Sequence, residues 1–226
     1  MIKFINASKT YPPNIKALNK VSLDVMPGEF ISIVGQSGTG KTTMVKALIA
    51  EEKLDSGKII VGGWDITNIR RSQVPNLRRQ IGVVFQDFKL LNQKTLYENV
   101  AFAMEVCGVR PGKIKSVVPQ LMKIVGLENK MNRYPQQVSG GEQQRTVIAR
   151  SLVHQPRILL ADEPTGNLDS INADEVTDLL LRINKFGTTV VLVTHNREIV
   201  NKLRKRVITI ENGMISHDQA VGKYIL

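Results

Sequence analysis

Apolar runs and helical spacing divide the chain into recognisable elements. Phe30–Val34, Ile81–Phe85, Ile158–Ala161 and Thr188–Val193 are short and nearly free of charge. That is the pattern of strands buried on both faces of a parallel sheet. Two other stretches, Ile2–Tyr11 and Ala17–Val25, predict half-buried strands, with Val21, Leu23 and Val25 alternating ahead of the Pro27-Gly28 turn. Lys58–Val61 and Trp64–Ile66 flank Gly62-Gly63 as a hairpin, and Val207–Ile210 and Met214–Ser216 flank Asn212-Gly213 as another. Helical spacing places Met44, Val45, Leu48 and Ile49 on one face of a helix that starts at about Lys41. It returns over Tyr97–Gly108 and Ile114–Val125, separated by the breaker Gly108–Gly112, and over Glu142–His154, which ends before Pro156. The pattern predicts a single α/β domain over 1–226. Residues 1–91 and 156–226 would form a core with an antiparallel β subdomain, and about 92–155 an inserted α-helical subdomain.

The chemistry sits at the ends of the predicted strands. Gly35-Gln36-Ser37-Gly38-Thr39-Gly40-Lys41-Thr42-Thr43 joins an apolar strand to a helix and matches G-x-x-x-x-G-K-[ST]. Backbone N–H groups in such a turn point at an anion, and the helix adds its positive end. Lys41 can reach β- and γ-phosphates, and the Thr42 hydroxyl can ligate Mg²⁺. The strand ending at Ala161 delivers two carboxylates. Asp162 is placed to hold Mg²⁺ through water, or to cap the helix after Pro164. Glu163 can orient and deprotonate a water for attack on the γ-phosphate. Ser139, Gly140, Gly141 and Glu142 open the helix predicted over Glu142–His154. They read both as a second anion site at a helix N-terminus and as a capping box.

These motifs, in this order, resemble the ATP-binding subunits of ABC (ATP-binding cassette) transporters over nearly the whole chain. The resemblance implies a P-loop NTPase core of ABC type, with ATP and Mg²⁺ as its ligands. Gly35–Thr42 is similar to the family's Walker A and Ile158–Asp162 to its Walker B, with Glu163 as the adjoining catalytic glutamate. Val138–Gln143 is similar to the LSGGQ signature, with Val138 and Glu142 in place of Leu and Gln. Gln86 resembles the Q-loop glutamine that touches Mg²⁺, Asp169 belongs to a D-loop-like Gly166–Asp169, and His195 resembles the switch histidine. Tyr11 stands where the family stacks an aromatic on adenine. The resemblance further implies a head-to-tail, ATP-dependent homodimer in which Ser139, Gly140, Gly141 and Glu142 contact the partner chain's ATP.

Asp162–Asp169 resembles the group that holds lipoprotein-release, macrolide-export and cell-division cassettes. Phe85–Leu91, Thr95–Ala103 and Val207–Ile215 resemble the cell-division members most. That resemblance implies an integral membrane partner of FtsX type, relaying the ATPase cycle to cell-wall hydrolases, and a peripheral site on the cytoplasmic face of the membrane at the division site. Export remains the alternative, as does an ATP-gated division scaffold with incidental turnover. Phe88, Leu90, Leu91, Tyr97 and Met104 are candidates for the groove that receives the membrane partner, or for core.

Charge modifies the picture modestly. With 31 Lys+Arg against 20 Asp+Glu the formal net charge is +11. Arg70-Arg71, Arg78-Arg79 and Lys202–Arg206 are clusters that an anionic membrane surface would attract. Nucleic acid is the less favoured anion, because soluble cassettes that act on it usually carry two fused cassettes or long insertions. Cys107 is the only cysteine, which excludes an intrachain disulfide and fits a reducing compartment. No signal-peptide-like start and no 18-residue apolar run occur, so a membrane role would need another chain.

Overall fold

A computed structural model describes residues 1–224. Two sheets organise it. The larger has six strands in the order β10-β9-β3-β8-β7-β6. Here β3 is Phe30–Val34, β6 Ile81–Val84, β7 Ile158–Asp162, β8 Thr189–Val193, β9 Arg206–Glu211 and β10 Met214–Gln219. All neighbours run parallel except β9 and β10, which form the closing hairpin. The smaller sheet is antiparallel, in the order β2-β1-β4-β5: β1 Ile2–Tyr11, β2 Ile15–Val25, β4 Ser56–Val61 and β5 Trp64–Asp65.

Period-two alternation in the central strands feeds two cores. Leu159, Ala161, Val190 and Leu192 point to one face, against α3 (Leu96–Glu105), α4 (Pro111–Ile124), α5 (Gly140–Ser151) and α6 (Ser170–Lys185). Ile158, Leu160, Val191 and Val193 point to the other, where the antiparallel sheet and α1 (Lys41–Leu48) close over them. Every residue of β3 and β8 is buried, as their unbroken apolar runs predict. Two short α-helices, α2 at Val74–Arg79 and α7 at Arg197–Leu203, and single 3₁₀ turns at Arg71–Gln73, Glu128–Lys130 and Pro135–Gln137 complete the described residues.

The strands foreseen from the alternation are present, and β2 starts two residues earlier, at Ile15, where it pairs with Tyr11. Helix α6 is not marked by any of the motifs, although Val176, Leu179, Leu180 and Ile183 are buried at helical spacing. Met104 corrects the groove expectation. It is 2% exposed and belongs to the helical core, since α3 turns that side toward α4 and α5. Phe88, Leu90 and Tyr97 are half-buried against the same core, while Leu91, Phe102 and Val106 are the exposed apolar residues of this region.

One cation ties the two sheets. Arg206 donates from Nε and Nη2 to the two oxygens of Asp218 at 2.8 and 2.7 Å, and from Nη1 to Glu29 Oε1 and the Asp24 carbonyl, both at 2.9 Å. Its bond to Asp218 holds that carboxyl below the usual carboxylate range, against the opposing effect of burial. The guanidinium itself is shifted upward, by the same bond first. A member of the predicted basic cluster is therefore engaged inside the protein. Because these groups remain partly exposed, Arg206→Met is expected to cost only about 2 kcal/mol. Calorimetry should then show a fall in Tm of roughly 4–8 °C. Asp218's share of that stability is present at neutral pH and disappears as the pH falls below about 4, through its depressed folded-state pKa. Equal melting temperatures for the two proteins at pH 7 would remove Arg206 from this role.

Candidate functional site

The parallel strands end at one edge of the sheet, and the motif residues collect there. A cavity of about 550 Å³ is lined by Tyr11, Ser37, Gly38, Gly40, Lys41, Thr42, Thr43, Gln86, Asp162, Glu163 and His195. Ile15 and Ala17 complete the wall. The glycine-rich loop follows β3 and runs into α1. At Gly40, φ is +104°, and a Cβ there would lie 1.9 Å from the Ala17 carbonyl oxygen of β2. Only glycine fits that close approach between loop and sheet. Gly35, Gln36 and Thr39 shape the loop from behind: Lys41 Nζ donates to the Gly35 and Gln36 carbonyls at 2.8 and 2.7 Å, and Thr39 Oγ1 donates to Gln36 at 2.9 Å. Burial lowers the Lys41 pKa, while Glu163 and Asp162 raise it in opposition.

Across the cavity, the Asp162 pKa is raised by burial and by the neighbouring Glu163 carboxylate, with Lys41 working against both. Glu163 sits at φ +49°, a left-handed conformation that is costly for a residue with a side chain. Its own N–H donates to the Val193 carbonyl at 2.8 Å, which fixes the turn to the end of β8. The carboxylate thereby meets two groups from the next strand end. His195 Nδ1 lies 2.7 Å from Oε1, and Thr194 Oγ1 donates to Oε2 at 3.3 Å. Since a carboxylate only accepts, His195 is assigned with its proton on Nδ1. Gln86 is joined to Asn167: Gln86 Nε2 donates to Asn167 Oδ1, and Asn167 Nδ2 to the Gln86 carbonyl, each at 3.4 Å.

Ser139, Gly140, Gly141, Glu142 and Asp169 do not line this cavity. Ser139 caps α5 and forms a capping box with Glu142: Glu142 N–H donates to Ser139 Oγ at 3.2 Å, and Ser139 N–H to Glu142 Oε2 at 2.9 Å. Gly140 and Gly141, as the first helical residues, have N–H groups with no intrahelical acceptor. A Cβ on Gly141 would lie 1.9 Å from Asn172 Oδ1 of α6. Asp169 caps α6 by accepting from the Asn172 N–H at 2.9 Å and from its Nδ2 at 2.6 Å. Signature and D-loop are thus packed on each other, at the N-termini of neighbouring helices.

Thr194 is a site residue outside every motif, and Asn167, within the D-loop-like Gly166–Asp169, takes its place at the site from a contact that its motif does not predict; their partners lie 31 and 81 residues away. The donor set at the cavity also suits a hard divalent cation. One carboxylate, one hydroxyl and one amide oxygen, from Asp162, Thr42 and Gln86, can be completed by phosphate and water. No group of three or more His, Cys, Asp or Glu among the described residues is arranged to hold a metal alone.

The geometry of the loop yields a direct test. Gly40→Ala is expected to weaken ATP binding by roughly 100-fold or more, because the added methyl must displace the loop from β2. Isothermal titration measures it, and an unchanged melting curve would show the fold intact. Binding as tight as in the unsubstituted protein would mean that the loop does not carry the phosphates.

Comparison with known proteins agrees with the architecture. The ABC transporter family model matches residues 18–166. The chain is 50% identical over 224 residues to the cell division ATP-binding protein FtsE of Bacillus subtilis, covering 99% of this chain and 98% of that protein. It is 46% identical over 225 residues to the protein of the same name from Mycobacterium tuberculosis, with 99% and 98% covered. Among solved structures, the dimeric post-hydrolysis state of the ATP-binding cassette MJ0796 bound to ADP and Pi superposes with a TM-score of 0.88. The identity is 33%, over 99% of this chain and 100% of that one. Motif order, sheet topology and these likenesses together place the chain in the ABC transporter family of ATP-binding cassettes.

Proposed function

We propose that the chain is the ATP-hydrolysing subunit of a cell-division complex, working as a head-to-tail pair attached to a membrane protein of FtsX type. The observation that carries the reading is the convergence of Lys41, Asp162, Glu163 and His195 on one cavity, with Glu163 held between His195 and Thr194. The full-length likeness to proteins named cell division ATP-binding protein, at 46–50% identity, favours division over export. Among the described residues no helix is long and apolar enough to cross a membrane; the membrane partner is inferred from the relatives' name. The reading therefore places the chain peripherally, on the cytoplasmic face at the division site.

Each side chain then has a task. Backbone N–H groups of 35–43 and Lys41 bind the phosphates, and Tyr11 stacks on the base. Lys41 gives two of its three N–H donors to the loop carbonyls, which aims the ammonium and leaves the third for the γ-phosphate. Thr42, Asp162 and Gln86 are the groups that would hold Mg²⁺, which neutralises phosphate charge when bound. Glu163 orients the attacking water and accepts its proton at the carboxylate. His195, its imidazole fixed by Glu163 Oε1, holds that carboxylate in line and is positioned to sense the γ-phosphate. The N-terminus of α5, with Ser139, Gly140 and Gly141, closes over the triphosphate bound by a second copy. ATP thus favours the paired state and hydrolysis releases it; that cycle moves the membrane partner. The exposed Leu91, Phe102 and Val106, beside the half-buried Phe88, Leu90 and Tyr97, are the surface proposed to receive it.

Glu163→Gln separates binding from turnover. Hydrolysis should fall roughly 10²–10⁴-fold, the scale of losing a general base. ATP binding should persist, and light scattering should detect a nucleotide-dependent dimer. Hydrolysis at the unsubstituted rate would assign the base to another group. Cells that divide normally on this variant alone would favour the scaffold role.

A further inference from the structure

Glu142 places an additional negative charge at the helix end proposed to face a triphosphate. The structure shows how the charge is met. One carboxylate oxygen accepts the Ser139 N–H at 2.9 Å, and the other is ion-paired with Lys130 Nζ. The Glu142 side chain is 14% exposed, so its charge is only weakly screened by water, whereas Lys130 is 49% exposed and reaches the surface at the same point. Burial pushes the Glu142 carboxyl up, but the bonds from Lys130 and Ser139 outweigh it and keep it ionised.

Lys130 is not a loose surface cation. It closes a single helical turn, Glu128–Lys130, that follows α4, and its N–H donates to the Leu127 carbonyl at 3.0 Å. Leu127 is buried. One and three residues after Lys130, the backbone is clamped to the start of α3, where the Tyr97 and Leu96 N–H groups donate to the Met131 and Arg133 carbonyls at 2.9 and 2.8 Å. The ammonium is therefore delivered to Glu142 from a backbone fixed on both sides.

We propose that Lys130 is a positioning residue of the nucleotide site: by neutralising and orienting Glu142, it makes an acidic signature compatible with the triphosphate of a second copy. This rests on the proposed function, in which the N-terminus of α5 meets the partner's ATP. Without Lys130, a poorly solvated carboxylate would stand beside several phosphate charges, and the repulsion would fall on the closed pair. A purely structural staple between the turn and α5 would behave differently. Its loss would lower the melting temperature without nucleotide and leave KM for Mg·ATP nearly unchanged.

The test is a double-substitution cycle on the full chain, with steady-state hydrolysis read as KM for Mg·ATP and kcat separately. Lys130→Met is expected to raise KM about tenfold or more, with a much smaller change in kcat. Adding Glu142→Gln to it should recover most of that loss, because the charge that needed neutralising is gone. Gly140→Asp, which adds a carboxylate at the same helix end, is run in parallel as a check on the underlying reading. A KM for Lys130→Met within twofold of the unsubstituted value, with Gly140→Asp strongly impaired, overturns the role of Lys130 alone. So does a double variant no better than Lys130→Met. If Gly140→Asp is also without effect, the shared nucleotide site fails, and the proposal for Lys130 fails with it.

Discussion

The close approach of the phosphate loop to β2 is the constraint on which the rest depends. At Gly40 the backbone passes so near the Ala17 carbonyl that no side chain fits between them. The contact joins the two sheets at the point where the nucleotide must sit, because β2 belongs to the antiparallel sheet and the loop grows from the centre of the parallel one. The parallel order β9-β3-β8-β7-β6 then fixes the rest of the cavity. Strand ends carrying Asp162, Glu163, Thr194 and His195 emerge side by side because β7 and β8 are neighbours in register. Ligands of open parallel sheets bind at such carboxyl ends for this reason.

Electrostatics divide the work between two places on the chain. The cavity gathers one buried cation and two carboxylates; burial, helped by Glu163, pushes the Asp162 pKa up, and Lys41 opposes both, a balance that a polyphosphate and its counter-ion would change. The start of α5, whose first N–H groups have no intrahelical acceptor, lies outside that cavity. It is nonetheless built with care: Gly141 is pressed on Asn172, Asn172 is held by Asp169, and Leu168 lies against Gly140. Asn167, one residue before Leu168, reaches Gln86 in the cavity. The stretch Asn167–Asp169 therefore touches both the cavity, through Gln86, and the start of α5, through Gly140 and Asn172.

Much of this was legible in the sequence because it is local. Unbroken apolar runs identified the buried strands, turn glycines the hairpins, and motif spacing the cavity residues. What escaped depends on contacts between distant segments. Met104 has the character of a docking residue until α4 and α5 are seen to cover it. Arg206 looks like part of a solvated basic cluster, yet its guanidinium is spent on Asp218, Glu29 and Asp24. Thr194, Asn167 and Lys130 gain meaning only from partners brought to them by the fold. Helix α6 carries an apolar stripe, Val176, Leu179, Leu180 and Ile183, but no motif, and its cap Asp169 is recognisable as a cap only from the bond it accepts from Asn172.

The central claim is that one complete ATP site takes its parts from two chains, and mixing two defective proteins tests it most directly. Lys41→Ala removes the phosphate-binding lysine, and Gly140→Asp spoils the signature, so each protein alone should hydrolyse ATP poorly. A mixed pair contains one site made of an intact loop from one chain and an intact signature from the other. Mixing the two at equal concentration is expected to restore hydrolysis well above the sum of the separate activities. Activity that stays at that sum, with mixed pairs demonstrated in solution, would contradict the account.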